Sequence, residues 1–266
     1  MSALETRGLV ARYRERVALD GIDLAVDRGE RLAVVGPNGS GKTTLVRVLA
    51  GLLRPSTGHA RLDGRDLVTI PARERARRIA VVAQSFATPF AFTAGEIVAL
   101  GRTSYVGWFG GLDGADRAAI AEALAEVDAS DLAQRPFAEL SGGERQRIVL
   151  AMALAQQADV LLLDEPTTHL DLAHGLRILE LVRDLAVSRR LTVLAVLHDV
   201  AVAASHFDRL VVLERGRIAA DGPGPETVTA SLLGQVFGVR ARVCWYGGVA
   251  TIVPHLSSAQ DDRSTG

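Results

Sequence analysis

The stretch Gly36-Pro37-Asn38-Gly39-Ser40-Gly41-Lys42-Thr43-Thr44 satisfies G-x-x-x-x-G-K-[ST], a spacing suited to holding a chain of phosphates. Its glycines let successive backbone N–H groups converge on one anion, and a helix starting near Lys42 would add its positive end. Lys42 then supplies a compact charge to the β- and γ-phosphates of a nucleotide, and the Thr43 hydroxyl is the expected ligand of Mg²⁺. A glycine-rich strand-to-helix turn can mimic the pattern. Lys42, however, is the only lysine among the 266 residues, so this composition would produce on the order of 10⁻³ such matches by chance.

A second chemical pattern is Leu161-Leu162-Leu163-Asp164-Glu165-Pro166, two carboxylates at the end of an apolar run. Neighbouring side chains of a strand point to different faces, so one carboxylate can hold a metal while the other faces a water. Asp164 is the expected Mg²⁺ partner, and Glu165 the general base or water-orienting group for attack on the γ-phosphate. Alone, such a pair is a polar turn; its meaning comes from the phosphate loop. The third pattern, Leu140-Ser141-Gly142-Gly143-Glu144-Arg145-Gln146-Arg147, opens a helix. Ser141 and Glu144 form a capping box, and the glycines sit where backbone N–H groups are free to meet an anion. Cap and ligand site are compatible.

These patterns need elements to position them. The apolar runs 32–35, 160–163 and 191–197 read as buried parallel strands whose C-terminal ends carry polar residues. Helical periodicity covers 43–53 and 172–188, the latter with Ile178, Val182 and Leu185 on one face. The class is therefore α/β with a parallel sheet. The first thirty residues and 58–64 read differently, as a small antiparallel sheet with turns at Asp20-Gly21 and Asp63-Gly64. Between 93 and 157 there is no strand signal; Ile120, Leu124 and Val127 mark one helix, and Ile148, Ala151, Leu154 and Ala155 another. Past Gly222 the pattern predicts a short helix over 225–237, strands over 241–245 and 249–253, and a flexible polar end.

Composition narrows the function classes. With 48% apolar and 23% charged residues, the chain reads as a globular protein with a large core. Thirty basic against thirty-one acidic side chains leave a net charge of -1, which argues against a nucleic-acid coat or polybasic membrane binder. Cys244 is the single cysteine, so neither an internal disulfide nor a cysteine zinc cluster is available, and a reducing cytosol fits. The N-terminus lacks a secretory pattern, and the most apolar stretch is broken by Gln156, Gln157 and Asp159, so no bilayer span is expected.

The segment L-S-G-G-E-R-Q at 140–146 resembles the signature of the ATP-binding-cassette (ABC) ATPases. Other markers follow in that family's order: Gln84 after the strand at 79–83 resembles the Q-loop, Thr168-His169-Leu170-Asp171 the D-loop, and His198 the switch histidine. Tyr13 resembles the aromatic that stacks on adenine, although an exposed amphipathic ring is the alternative. The resemblance runs from about residue 4 to 222. It implies a P-loop NTPase (RecA-like) core with a small antiparallel β subdomain and an all-helical subdomain inserted at about 88–157. These make up an ATPase domain over 1–240, followed by C-terminal strands and a flexible tail over 241–266. It implies catalytic roles for Glu165, His198 and Gln84, and an Mg²⁺ site of Thr43, Gln84 and Asp164. ATP would be held by Tyr13 and by Gly36, Pro37, Asn38, Gly39, Ser40, Gly41, Lys42, Thr43 and Thr44. Ser141, Gly142 and Gly143 would grip the ATP of a second copy, in a head-to-tail dimer closed by nucleotide.

Within that family, Val98-Ala99-Leu100-Gly101-Arg102, the 105–110 stretch, the D-loop with its His169 and the block from Leu232 onward resemble the cassettes of iron-siderophore, haem and cobalamin importers. That implies an integral membrane permease as partner, a periplasmic or lipid-anchored binding protein upstream, no nucleic acid, and a place at the cytoplasmic face of the membrane. Phe86, Phe90, Phe92, Tyr105, Trp108 and Phe109 would form either core of the insertion or part of a docking groove. The rival reading is a soluble cytosolic ABC ATPase serving an assembly process such as iron–sulfur cluster building.

Overall fold

The computed structural model describes residues 2–107, 110–168 and 170–255. Trp108, Phe109, His169 and the tail from 256 onward, for which expectations are stated above, lie outside the described residues.

The chain opens with two long strands, β1 (Ser2–Tyr13) and β2 (Arg16–Asp27), followed by β3 (Arg31–Val35) and helix α1 (Lys42–Leu49). Next come β4 (Thr57–Leu62), β5 (Arg65–Asp66), α2 (Ala72–Ala76) and β6 (Ile79–Val82). The helical segment contains α3 (Ala94–Ala99), α4 (Gly114–Glu126) and α5 (Gly142–Ala155). The chain then returns through β7 (Val160–Asp164), α6 (Leu172–Arg189), β8 (Thr192–Val196), α7 (Val200–His206), β9 (Arg209–Glu214) and β10 (Arg217–Gly222). Two short helices, α8 (Gly224–Thr227) and α9 (Ala230–Phe237), and the hairpin β11 (Ala241–Tyr246) with β12 (Val249–Pro254) complete it.

The central sheet has the order β10-β9-β3-β8-β7-β6, parallel except for the β10 edge. Its middle strands are buried on both faces, as continuous apolar runs require. Ala33, Val35, Leu161, Leu163, Val193 and Ala195 face one core with α5, α6 and α7. Their neighbours Leu32, Val34, Val160, Leu162, Leu194 and Val196 face a second core with α1 and the antiparallel sheet β2-β1-β4-β5. The strand period of two thus splits one run of side chains between two cores.

Two expectations are corrected. Asp20-Gly21 is no hairpin turn: β2 runs straight through it, and the register step from Leu9↔Ile22 to Ala11↔Leu19 makes it a bulge. The actual turn is at Arg14-Glu15, with Arg14 at φ 53°, a conformation that the Asp-Gly signal at 20–21 drew attention away from. The helix expected over 225–237 is two helices, because Val228 leaves helical geometry and Thr229 caps a new start. Asp63-Gly64 does turn β4 into β5, with both residues at positive φ.

Candidate functional site

The loop between β3 and α1 begins where the parallel sheet ends, so its backbone N–H groups and the start of α1 converge above the strand tips. Gly41 sits at φ 107°, and a Cβ there would meet the carbonyl oxygen of Ala18 at 2.5 Å, so only glycine fits. Lys42 is buried; its Nζ donates to the carbonyl oxygens of Gly36 at 2.7 Å and Pro37 at 3.0 Å. Burial pushes its ammonium below the ordinary lysine value, with the carboxylates of Glu165 and Asp164 opposing. Ser40 Oγ is buried with no hydrogen-bond partner.

At the tip of β7, Thr43 Oγ1 donates to Asp164 Oδ1 at 3.3 Å. Burial pushes the Asp164 carboxyl up; the Thr43 bond opposes this, and the Glu165 charge adds to it. Glu165 follows at φ 55°, a left-handed conformation that costs a non-glycine residue about 1–3 kcal/mol. That turn brings its Oε2 within 2.6 Å of Gln84 Nε2, 2.7 Å of His198 Nε2 and 3.2 Å of Thr168 Oγ1. Gln84 follows β6 and His198 follows β8, on either side of β7, so strand order alone brings three distant segments onto one carboxylate.

A cleft of about 340 Å³ lies over the loop and reaches Glu165, lined among others by Tyr13, Arg16, Asn38, Lys42 and Thr43; Thr168 and His198 line a second cavity of about 280 Å³ that shares Glu165. Tyr13 stands at the rim of the first, 40% exposed, with its hydroxyl 3.4 Å from Arg47 Nη1. Two residues, Arg16 in the cleft over the loop and Thr168 at the Glu165 carboxylate, went unnoticed in sequence. Thr168 lay inside the D-loop pattern without a role, and Arg16 could have been found only from the tight turn that pairs it with Tyr13.

Ser141, Gly142 and Gly143 lie elsewhere. Ser141 caps α5, its Oγ accepting from Glu144 N at 3.3 Å while Glu144 Oε2 accepts from Ser141 N at 2.7 Å. Gly143 lines a separate cavity of about 300 Å³ with His174 and Arg147, and none of the three residues lines the Lys42 cleft.

The family model described as ABC transporter matches residues 19–168. The chain is 44% identical to the hemin import ATP-binding protein HmuV of Streptomyces coelicolor, over 94% of this chain and 89% of that protein. The chain belongs to the ABC transporter family. Among solved structures, this ABC ATPase matches one of a metal-chelate type ABC transporter in an inward-facing conformation. The TM-score is 0.84 at 29% identity, covering 97% of this chain and 99% of that one. It also matches the ATP-binding cassette MJ0796, a dimer in a post-hydrolysis state bound to ADP and Pi. There the TM-score is 0.73 at 27% identity, over 83% of this chain and 98% of that chain.

The aromatic cluster divides. Phe86 and Phe92 pack on the core, with Phe86 edge-on to Phe137 at 5.6 Å, and the Tyr105 hydroxyl donates to the carbonyl oxygen of Gln156 at 3.0 Å. Phe90 is 68% exposed. Among the described residues, no helix is long and apolar enough to cross a membrane.

Proposed function

We propose that this ABC ATPase binds and hydrolyses ATP as a head-to-tail pair and powers uptake of a chelated metal of haem, iron-siderophore or cobalamin type. It would do so from the cytoplasmic face of the membrane, through a permease served by a periplasmic or lipid-anchored binding protein. The observation that carries the hydrolytic part is the convergence of Gln84, His198 and Thr168 on one oxygen of Glu165, beside a phosphate-binding loop. The cargo class and permease rest on the likeness to HmuV and to the metal-chelate type transporter.

In this reading the loop 36–44 wraps the phosphates with backbone N–H groups, and Lys42 exchanges its two carbonyl acceptors for phosphate oxygens. Glu165 takes a proton from the water aimed at the γ-phosphate. Gln84 and His198 fix the carboxylate that does so, and His198 reaches the γ-phosphate from the same side. Tyr13 offers its exposed ring to the base. Thr43 Oγ1 and Asp164 Oδ1 are hard oxygen donors lying side by side, and the buried Asp164 carboxyl gains most from an adjacent dication, so these residues suit Mg²⁺. Gln84, whose Nε2 donates to Glu165, would join them through its amide oxygen. Bound there, Mg²⁺ would neutralise charge on the β- and γ-phosphates.

The first-turn N–H groups of α5 have no intrahelical acceptor, and they lie away from this chain's own phosphate loop. A second copy presents its loop to them. Once the γ-phosphate leaves, the contact that both copies share is lost and the pair loosens.

The Glu165→Gln variant tests this reading. It should bind ATP, accumulate as a dimer in light scattering, and hydrolyse at least about 10²-fold more slowly than the unaltered chain. A monomer at saturating ATP would refute the clamp. Recovery of the unaltered chain from detergent-solubilised membranes only in complexes lacking an integral membrane protein would refute the importer.

A further inference from the structure

Arg16 belongs to no motif named above, yet the fold brings it to the nucleotide cleft. It pairs with Tyr13 across the tight turn at Arg14-Glu15, so a ring and a guanidinium stand side by side at the end of the β1–β2 hairpin. Backbone contacts fix that hairpin against the phosphate loop. Gly216 N, in the β9–β10 turn, donates to the carbonyl oxygen of Ser40 at 2.9 Å, and Asp20 N donates back to that of Gly216 at 2.8 Å. Gly216 has no room for a side chain, since a Cβ would lie 2.8 Å from the carbonyl oxygen of Ala18. Held this way, Arg16 reaches over the loop: its Nη2 lies 3.3 Å from where a Cβ on Gly39 would stand.

Arg16 is also unengaged. Arg31, Arg209 and Arg217 each hold an aspartate, whereas among the described residues no carboxylate or carbonyl pairs with Arg16. An exposed, always-charged fork with open donors, aimed across a phosphate-binding loop, has the geometry to take phosphate oxygens bidentately. Lys42 differs in both respects, being buried and committed to Gly36 and Pro37.

We infer that Arg16 is a second phosphate-binding cation of this site, gripping the phosphate chain from the side opposite Lys42 whatever base is attached, while Tyr13 beside it contacts the base. The inference rests on the nucleotide site proposed above. As Arg16 touches the phosphates without taking part in proton transfer, it is a binding residue.

The test compares the full chain with its Arg16→Gln, Arg16→Lys, Tyr13→Leu and Lys42→Ala variants, titrating ATP, GTP and inorganic tripolyphosphate by calorimetry. Arg16→Gln should weaken all three by about tenfold and by a common factor, with Arg16→Lys intermediate. KM for ATP should rise with it while kcat stays within about twofold, the pattern of an interaction present before and during the chemical step. Tyr13→Leu should weaken ATP and leave tripolyphosphate unchanged. Unaltered tripolyphosphate affinity in Arg16→Gln, with affinity lost in Lys42→Ala, would overturn the role of Arg16 alone. Full affinity in Lys42→Ala as well would overturn the nucleotide site and this inference together. A loss in Arg16→Gln confined to ATP would assign the residue to the base and also overturn the inference.

Discussion

Around Lys42 and Glu165 the folded chain carries unrelieved cost: a left-handed glutamate, a buried Ser40 hydroxyl without a partner, an ammonium held low and an Asp164 carboxyl held high by burial. Around Ser141 the reverse holds. The capping box is closed on both sides, and the Ser141 N–H holds the Glu144 carboxyl below the ordinary carboxylate range. In the function proposed above, the difference separates a half-site that a ligand completes from one that is satisfied until a second copy arrives. Such concentration of strain and displaced titrations is expected where binding and chemistry occur. The signature half, by contrast, is a sound helix start, and in the proposed function its role lies in the second copy that it faces.

Breaking each half should therefore give different losses. The largest is expected from Lys42→Ala, which removes the one lysine of the phosphate loop; ATP binding and turnover should both fall to background in calorimetry and phosphate-release assays. Next is a mixing experiment. Gly142→Asp should leave nucleotide binding to the isolated subunit intact yet abolish hydrolysis, since it places a carboxylate where a second copy's phosphates must sit. Mixed with Lys42→Ala subunits, it should recover about a quarter of the activity, because half the random pairs are mixed and each mixed pair has one intact site of two. No recovery would mean that the signature and loop of one chain act together.

The contrast between the halves also explains what could be read before the fold was known. The phosphate loop and the Asp164-Glu165 pair are local: their spacing and the flanking apolar strands suffice, and the structure puts both at the same end of the sheet, on the tips of β3 and β7 with β8 between them. The sequence pattern likewise marks α5 and α6 nearly to their ends, since each has an apolar face and an N-cap, and it marks the two strands β11 and β12. The contacts of Gln84, Thr168 and His198 with a single carboxylate oxygen are set by the β6-β7-β8 order, which no local pattern encodes; family order alone pointed to Gln84 and His198. Arg16 was hidden for a related reason. Its place depends on the true hairpin turn, and the Asp20-Gly21 pair pointed to the wrong one. The strands β9 and β10 also went unread, because 209–222 carries no chemistry to draw attention to it.

A smaller effect sharpens the view that Ser141 is cap and ligand together. Ser141→Ala and Thr93→Ala each open one capping box, at α5 and α3. Each should cost about 1 kcal/mol, seen as a fall of about 2–4 °C in the calorimetric midpoint without nucleotide. Only Ser141→Ala should also raise the ATP concentration needed to form dimers, measured in the Glu165→Gln background. Equal dimerisation by both variants would reduce Ser141 to a cap.

The smallest effect concerns the cost stored at Asp164. Its carboxyl is pushed up by burial, so the folded chain prefers it protonated. The stability tied to that preference is fully present below the unfolded-state value and is lost as pH rises through the raised folded-state value. Asp164→Asn keeps the shape and removes the titration. Without nucleotide, its denaturation midpoint should match that of the unaltered chain near about pH 4 and exceed it near about pH 7. The lowered Lys42 acts with the opposite sign: it penalises the folded state below its displaced value and is relieved as pH climbs from there towards 10.5, so it adds stability with rising pH and does not counterfeit the Asp164 slope. A gap that shrinks towards neutral pH would mean that Asp164 is stabilised as a carboxylate by its neighbours. The phosphate-binding half would then be as well satisfied as the signature half.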